Sequence, residues 1–151
     1  MSATNFIADE LFNCMATSRN LRSFEDAVLR GALRNVQNLS MKSSCLDSYV
    51  NDTGINAFEC VSKMGCLRVL DLSSSTIDYY GIATMCKALM VRPGRDRPFP
   101  RLQKLVMNNI DWTGAVPLGV PHDEDPVLQF LELCDNLCIK VEVSLMKDAD
   151  A

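Results

Sequence analysis

The sequence predicts an α/β fold in which short strands and helices alternate within a single domain. Three observations predict it: a hydrophobic spacing that occurs four times, a helical pattern after two of those segments, and a composition typical of globular proteins. The chain has 151 residues, of which 48% are hydrophobic and 23% are charged. One domain usually takes about 100–200 residues. This composition excludes disordered, collagen-like and wholly membrane-embedded chains.

The recurring spacing consists of three apolar residues. The second stands three positions after the first, and the third stands five positions after the first. It occupies residues 36–41, 67–72, 102–107 and 128–133. Leu70 and Leu72 are two residues apart, so they would point to one face of a strand and Asp71 to the other face. Because one such unit cannot bury its own apolar face, we expect the units to stack on a shared core.

A turn toward the core is expected after three of these strands. The apolar residues that would make it are Leu46, Ile77 and Cys138. The polar residues two positions earlier are Ser44, Ser75 and Asn136. A short polar side chain at this place can bond to the turning backbone and stack from one unit to the next.

Helical patterns follow the first two strands. In the second unit, Gly81 precedes apolar residues at the spacing of one helix face, namely Ile82, Met85, Cys86 and Leu89. In the first unit, Gly54 precedes Ile55, Phe58 and Val61, and either Asp52 or Thr53 is able to cap that helix. The stretch between Trp112 and Val127 is rich in Gly and Pro, so a loop or short turn is expected in the third unit.

The two ends of the chain are expected to differ from the stacked units. Residues 1–35 are predicted to form a helical cap, with a short helix that carries Phe6, Ile7, Leu11 and Phe12. A second helix would run from about Ser23 to Leu33, with Phe24, Val28 and Leu29 inward. Apolar and polar residues alternate from Cys138 to Leu145, which predicts one more strand before a tail at 146–151. Three interpretations stay open: the strand is itself an atypical terminal cap, the chain is part of a larger protein, or a partner covers the edge of the strand.

Strand, turn, glycine and helix at this spacing resemble a leucine-rich repeat of the long, ribonuclease-inhibitor-like class. The second unit carries the motif most fully, as Leu67-x-x-Leu70-x-Leu72-x-x-Ser75-x-Ile77-x-x-x-Gly81-x-x-x-Met85-x-x-x-Leu89. The resemblance covers roughly residues 33–145, with the repeats proper at 36–145. It implies a solenoid with a curved parallel sheet on the concave side and helices and loops on the convex side. The third unit departs from the pattern, since Ile110 stands where the polar turn residue is expected. The alternative is a small α/β sheet without the curvature.

In this register the concave face exposes the residues between the apolar strand positions. They form three columns: Asn38, Val69, Lys104 and Phe130; Ser40, Asp71, Val106 and Glu132; and Lys42, Ser73, Asn108 and Cys134. A face with Val69, Val106 and Phe130 among charged groups suits a protein surface better than a phosphate backbone. We therefore expect a non-catalytic protein–protein interaction module. The alternative is that these side chains only face solvent.

A basic segment after the second helix offers another function. It contains Arg92, Arg95, Arg97 and Arg101 among prolines and a glycine, and it could contact phosphate, RNA or an acidic partner. An RNA- or ribonucleoprotein-associated subunit is therefore one alternative, although the net charge of −4 speaks mildly against nucleic acid. The resemblance to leucine-rich repeats also permits regulation of a small GTPase or another enzyme.

No sequence motif points to catalysis, a cofactor or a metal. The chain has no GxxxxGK[ST], GxSxG, HExxH or paired CxxC motif, so no catalytic, cofactor-binding or metal residue is assigned. His122, the only histidine, is interpreted as part of a solvated acidic loop, and Cys134 and Cys138 are expected to point apart. The N-terminal residues do not resemble a secretory signal and no long apolar run occurs, so we expect an intracellular, cytoplasmic protein with reduced thiols and no membrane partner.

Overall fold

The structure, a computed structural model, describes residues 4–13, 15, 17–47, 53–112 and 125–143. The strands are β1 (Asn5–Ile7), β2 (Asn38–Ser40), β3 (Val69–Asp71), β4 (Lys104–Val106) and β5 (Lys140–Glu142). The helices are α1 (Ser18–Leu29), α2 (Thr53–Val61), α3 (Tyr79–Ala88) and α4 (Pro126–Asn136). One helix lies between each pair of successive strands, so the predicted α/β fold is confirmed.

The five strands form one parallel sheet, and their order in the sheet is their order in the sequence. The central row of paired residues is Phe6, Leu39, Leu70, Leu105 and Val141. Successive members of this row are 33, 31, 35 and 36 residues apart. Each strand and the helix that follows it therefore make one unit of similar length.

The turn after each of the first four strands adopts the same backbone conformation. Four residues at equivalent positions have φ between 57° and 63°: Glu10, Ser43, Ser74 and Asn109. Residues other than glycine rarely adopt this left-handed conformation. Neighbouring turns are joined by backbone hydrogen bonds, since Ser43 N donates to Ser73 O and Ser74 N donates to Asn108 O. The turns therefore repeat and stack in the same way as the strands.

The core lies between the sheet and the helices. Leu39, Leu70 and Leu105, at the centres of their strands, are at most 2% exposed. They belong to one buried cluster with the helix residues Phe58 and Ile82. Each helix contacts the next one along the chain, from α1 to α4. The apolar spacing at 36–41, 67–72 and 102–107 thus marks core positions, as predicted.

The polar turn residues after β2 and β3 behave as predicted. Ser44 and Ser75 are buried, and Ser44 N donates to Ser75 Oγ at 3.1 Å. Ser44 Oγ donates to Met41 O at 2.7 Å. The buried hydroxyls satisfy backbone groups where the chain turns, which is the role that a short polar side chain can fill there.

The helices predicted at Gly54 and Gly81 are also confirmed, although each begins before its glycine, at Thr53 and Tyr79. The two glycines lie against backbone. A Cβ on Gly54 would be 2.2 Å from Cys45 O, and a Cβ on Gly81 would be 1.9 Å from Leu46 O. Real Cβ atoms do not approach an oxygen this closely, so a larger residue would force the helix away from the neighbouring chain. Both helices therefore depend on glycine for their packing distance.

The fourth apolar segment, 128–133, forms a helix, so the prediction of a strand there is wrong. It lies within α4. The predicted third unit, which begins at residue 102, therefore has a helix in addition to the Gly/Pro-rich stretch. The Asp125 carboxylate accepts from Val127 N at 2.8 Å, and Pro126 stands at the first helical position. This capped start favours a helix, and the buried residues Phe130 and Cys134 are four positions apart, as on one helix face.

The N-terminal region contains a strand where a short helix was predicted. Phe6 and Ile7 belong to β1, which pairs with β2 and satisfies backbone groups along that edge of the sheet. Helix α1 begins at Ser18, several residues before the predicted start. Phe24 is buried as predicted, but Leu29 is 71% exposed at the end of the helix. The N-terminal region is thus a strand–helix unit rather than two helices.

The final strand is confirmed, but its entry differs from the prediction. β5 covers Lys140–Glu142, within the alternating stretch that predicted it. Cys138 was expected to turn into the core, yet it is exposed, with a φ of 60° in the tight turn between α4 and β5. Asn136 is exposed at the end of α4 and does not take the place of the buried serines. Both differences follow from the helical conformation of 128–133.

Candidate functional site

The side chains that point away from the helices form a continuous surface across the five strands, which we call the open sheet face. It has three rows: Asn5, Asn38, Val69, Lys104 and Lys140; Ile7, Ser40, Asp71, Val106 and Glu142; and Asp9, Lys42, Ser73 and Asn108. Of these residues, only Ser73 is buried. The alternation along each strand places these residues opposite the core positions.

The structure brings together nine of the twelve residues predicted for this surface. The other three, Phe130, Glu132 and Cys134, lie on α4, where Phe130 and Cys134 are buried and Glu132 is exposed. Lys140 and Glu142 take their places on the sheet.

Five residues of this face were missed by sequence reasoning: Asn5, Ile7, Asp9, Lys140 and Glu142. The period-two alternation around Val141, 36 residues after Leu105, was the signal that could have placed the last two. Phe6 stands 33 residues before Leu39 and offered the same signal for the first three. The unit length was therefore a better guide to register than the apolar spacing alone.

Polar contacts hold the first part of the face. Asn38 Nδ2 donates to Asn5 Oδ1 at 2.7 Å. The Asp9 carboxylate accepts from Ser40 Oγ at 2.5 Å and from Lys42 N at 2.9 Å through the same oxygen. These contacts link β1 and its turn to β2 through side chains as well as through the sheet.

The central part of the face is organised by Asp71. One carboxylate oxygen accepts from Ser73 N at 2.9 Å, and the other lies 3.8 Å from Lys42 Nζ. The side chains of Lys42 and Asp71 are 50% and 25% exposed, so the ion pair is screened by water and contributes little free energy. It brings the positive charge of Lys42, in the turn after β2, next to the negative charge of Asp71 on β3.

The last part of the face is organised by Glu142. Lys104 Nζ lies 2.9 Å from one of its carboxylate oxygens, and Asn108 Nδ2 donates to the other at 3.0 Å. The hydrogen bonds from Lys104 and then from Asn108 lower the pKa of the Glu142 carboxyl. Glu142 is therefore ionised at neutral pH, and both of its oxygens are oriented.

Apolar side chains stand among these charges. Val69 and Val106 are half-buried on adjacent strands, and Ile7 on β1 is 74% exposed. Charges of both signs surround them, so the face offers fixed donors, acceptors and apolar contact together.

A second feature lies at the basic segment predicted as a possible contact. Arg92, Arg95 and Arg97 line a cleft of about 890 Å³, together with Lys63 and Lys87. Arg101, the fourth arginine of the prediction, is exposed but does not line this cleft. No residue of the open sheet face lines it either.

The described cysteines are free thiols, and three of them have raised pKa values. Burial raises the pKa of Cys60 and Cys86 to about 11 and that of Cys134 to about 12. Cys134 is buried in α4 while Cys138 is exposed, and the described ranges contain no group of three residues able to hold a metal. His122 and Cys14 lie outside the described residues. None of the described helices is long and apolar enough to cross a membrane.

Neither a protein-family model nor a curated protein matches the sequence at a significant level.

Proposed function

We propose that this chain is a non-catalytic protein–protein interaction module of the leucine-rich-repeat type, which binds a partner on its open sheet face. One observation carries the proposal. Oriented charges of both signs, led by Asp71, Lys104 and Glu142, surround the half-buried Val69 and Val106 on adjacent strands. Protein interfaces combine apolar contact with a polar rim in this way.

The repeating unit supports the finer fold within this proposal, a curved solenoid. Strands in a sheet are about 4.8 Å apart, whereas packed helices are about 8–10 Å apart. A stack with all its helices on one side therefore curves, with the strands on the inside. The open sheet face would then be the concave side, and the strand–helix unit of residues 1–35 would cap the stack.

The mechanism would be binding by a surface that is already ordered. The side chains of Asp9, Asp71 and Glu142 each hold at least one hydrogen bond on this face. Little side-chain entropy is then lost when a partner binds. The three carboxylates of the face are matched by three lysines, Lys42, Lys104 and Lys140, so the face has no net positive charge to attract a phosphate backbone, which favours a protein as the partner.

We also propose a reducing compartment, in keeping with a cytoplasmic protein. Cys45, Cys60, Cys86 and Cys134 are buried free thiols in the structure. Disulfides form in oxidising compartments, and unpaired thiols are the ordinary state of cysteines in the cytoplasm.

The first test is charge reversal on the open sheet face. We expect Asp71→Lys with Glu142→Lys to abolish retention of a protein partner in a pull-down, because it reverses two oriented charges of the face. The matched control is Glu132→Lys with Asp135→Lys, which makes the same change in net charge on the exposed side of α4. Circular dichroism checks that both variants fold.

The proposal is supported if one protein, identified by mass spectrometry, is retained by the wild type and the α4 control but not by the sheet variant. Equal retention by the sheet variant would contradict the assignment of the face. If all three proteins retain RNA at low salt and lose it at high salt, the result would favour RNA binding through the basic segment instead.

A further inference from the structure

The cleft beside the basic segment has a charge opposite to that of the whole chain. It lies between the C-terminal parts of α2 and α3 and the segment 90–100. Five basic residues line it, Lys63, Lys87, Arg92, Arg95 and Arg97, against two acidic ones, Glu59 and Asp96. The chain as a whole carries a net charge of −4. The cleft is therefore a local site of attraction for anionic groups.

Most of these cations are available to a ligand. Lys63, Lys87, Arg92 and Arg95 are exposed, and none of them forms an ion pair with a residue that the structure describes. Four positive charges around one concavity repel one another, so an anionic ligand that enters is favoured by relief of that repulsion.

The segment 90–100 is held in place on the body of the protein. Arg97 differs from the other cations, because its Nη2 donates to Leu137 O at the end of α4. Phe99 is fully buried, its N donates to Ser62 O at 2.7 Å, and its ring centroid lies 5.3 Å from that of Phe58. These contacts anchor the wall that presents Arg92 and Arg95.

The other lining residues decide which anion suits the cleft. They include the apolar groups of Ala88, Met90 and Pro98, and no aromatic ring on which a base could stack is among the lining residues that the structure describes. An ionised phosphodiester has no N–H or O–H group to donate to the carboxylates of Glu59 and Asp96. A peptide with acidic residues offers carboxylates to the lysines and arginines, N–H groups to Glu59 and Asp96, and aliphatic side chains to Met90.

We propose that this cleft binds an acidic peptide segment of a partner protein, at a site separate from the open sheet face. Lys63 just after α2, Lys87 of α3 and the cations of the anchored segment 90–100 attract the peptide carboxylates, and the apolar lining receives the side chains between them. The binding weakens as the salt concentration rises, because the charges are exposed to solvent.

Fluorescence anisotropy tests the proposal with two labelled probes, a peptide of alternating glutamate and valine and a mixed-sequence single-stranded RNA. The cleft variant is Lys87→Glu with Arg92→Glu. The matched control is Arg19→Glu with Arg22→Glu, which makes the same charge change on the exposed side of α1. We expect the cleft variant to bind the peptide about tenfold more weakly than wild type at low salt, and the control to stay within about twofold.

Absence of peptide binding by the wild type, or an equal loss in the control, would overturn the proposal. Tighter binding of the RNA through the same residues would show a nucleic-acid site in place of a peptide site. The variant Asp71→Lys with Glu142→Lys should keep peptide binding within about twofold, since its changes lie outside the cleft. The failure of this proposal and the failure of the sheet-face proposal therefore give different results.

Discussion

At the scale of single residues, the surroundings of each cysteine decide its reactivity. Cys86 and Cys134 lie in the core of the helix layer, and burial disfavours their charged thiolate forms. Cys60 combines burial with the nearby Glu25 carboxylate, whose Oε2 lies 3.6 Å from its sulfur, and both raise its pKa. Cys138, in the turn before β5, is exposed. The sequence shows seven cysteines, but only the packing distinguishes them.

We predict that iodoacetamide at pH 8 alkylates Cys138 much faster than Cys86 or Cys134 in the native protein. The thiolate is the reacting form, and a pKa of about 11 or 12 leaves almost none of it at pH 8. The rates at the buried thiols should rise as the pH is raised, and should rise sharply in urea. Mass spectrometry of peptides, with Cys138→Ser as the control for assignment, measures each site. Native labelling of Cys134 as fast as that of Cys138 would show that α4 does not bury it.

At the scale of elements, the sequence carries helix signals of unequal strength. Gly81 and the apolar residues after it predict α3 correctly, because the glycine and the helical spacing agree. Residues 128–133 have the apolar spacing of the strands, yet Asp125 and Pro126 begin a helix before them. An apolar residue three positions after another suits a helix face as well as a strand entry. The capping signal was therefore more informative than the spacing.

Gly81→Ala should lower the free energy of unfolding by about 1–3 kcal/mol or more, because overpacking forces backbone to move. The clash would be with Leu46 O, which belongs to the preceding unit and is not a flexible side chain. Gly65→Ala is the matched control, since nothing lies within 4 Å of its added Cβ, and it should change stability by at most about 0.5 kcal/mol. Urea unfolding followed by circular dichroism gives both values. Equal midpoints for the two variants would mean that α3 does not approach Leu46 as described.

At the scale of the whole molecule, one buried cluster runs through all the units. It includes Phe12 beside α1, Phe58 in α2, Met85 in α3 and Phe130 in α4. The ring centroids of Phe12 and Phe24 are 5.3 Å apart, which joins the turn after β1 to α1. A core without an internal boundary favours unfolding of residues 1–35 together with the rest.

We predict that Trp112 fluorescence and far-UV circular dichroism report the same unfolding midpoint in urea. Trp112, the only tryptophan, packs against the core after β4, while circular dichroism reports helices throughout the described chain, including α1. A second transition seen by circular dichroism alone would show that one unit unfolds separately. Phe12→Ala removes a fully buried ring and should lower the free energy of unfolding by about 3–5 kcal/mol, with the same decrease measured by both signals.

The sequence by itself determined the α/β class, the core positions of three units, and the helices after Gly54 and Gly81. The class and the core positions depend on local periodicity, and the helical spacing of apolar residues after each glycine also acts within one or two turns of chain. It also placed Asp71 and Lys104 on a common face. Only the tertiary structure decided that Glu142, and not Glu132, joins them, and that Lys63 and Lys87 meet the arginines of 90–100. A local pattern specifies which face of an element is apolar, but register and packing between distant segments decide which side chains meet.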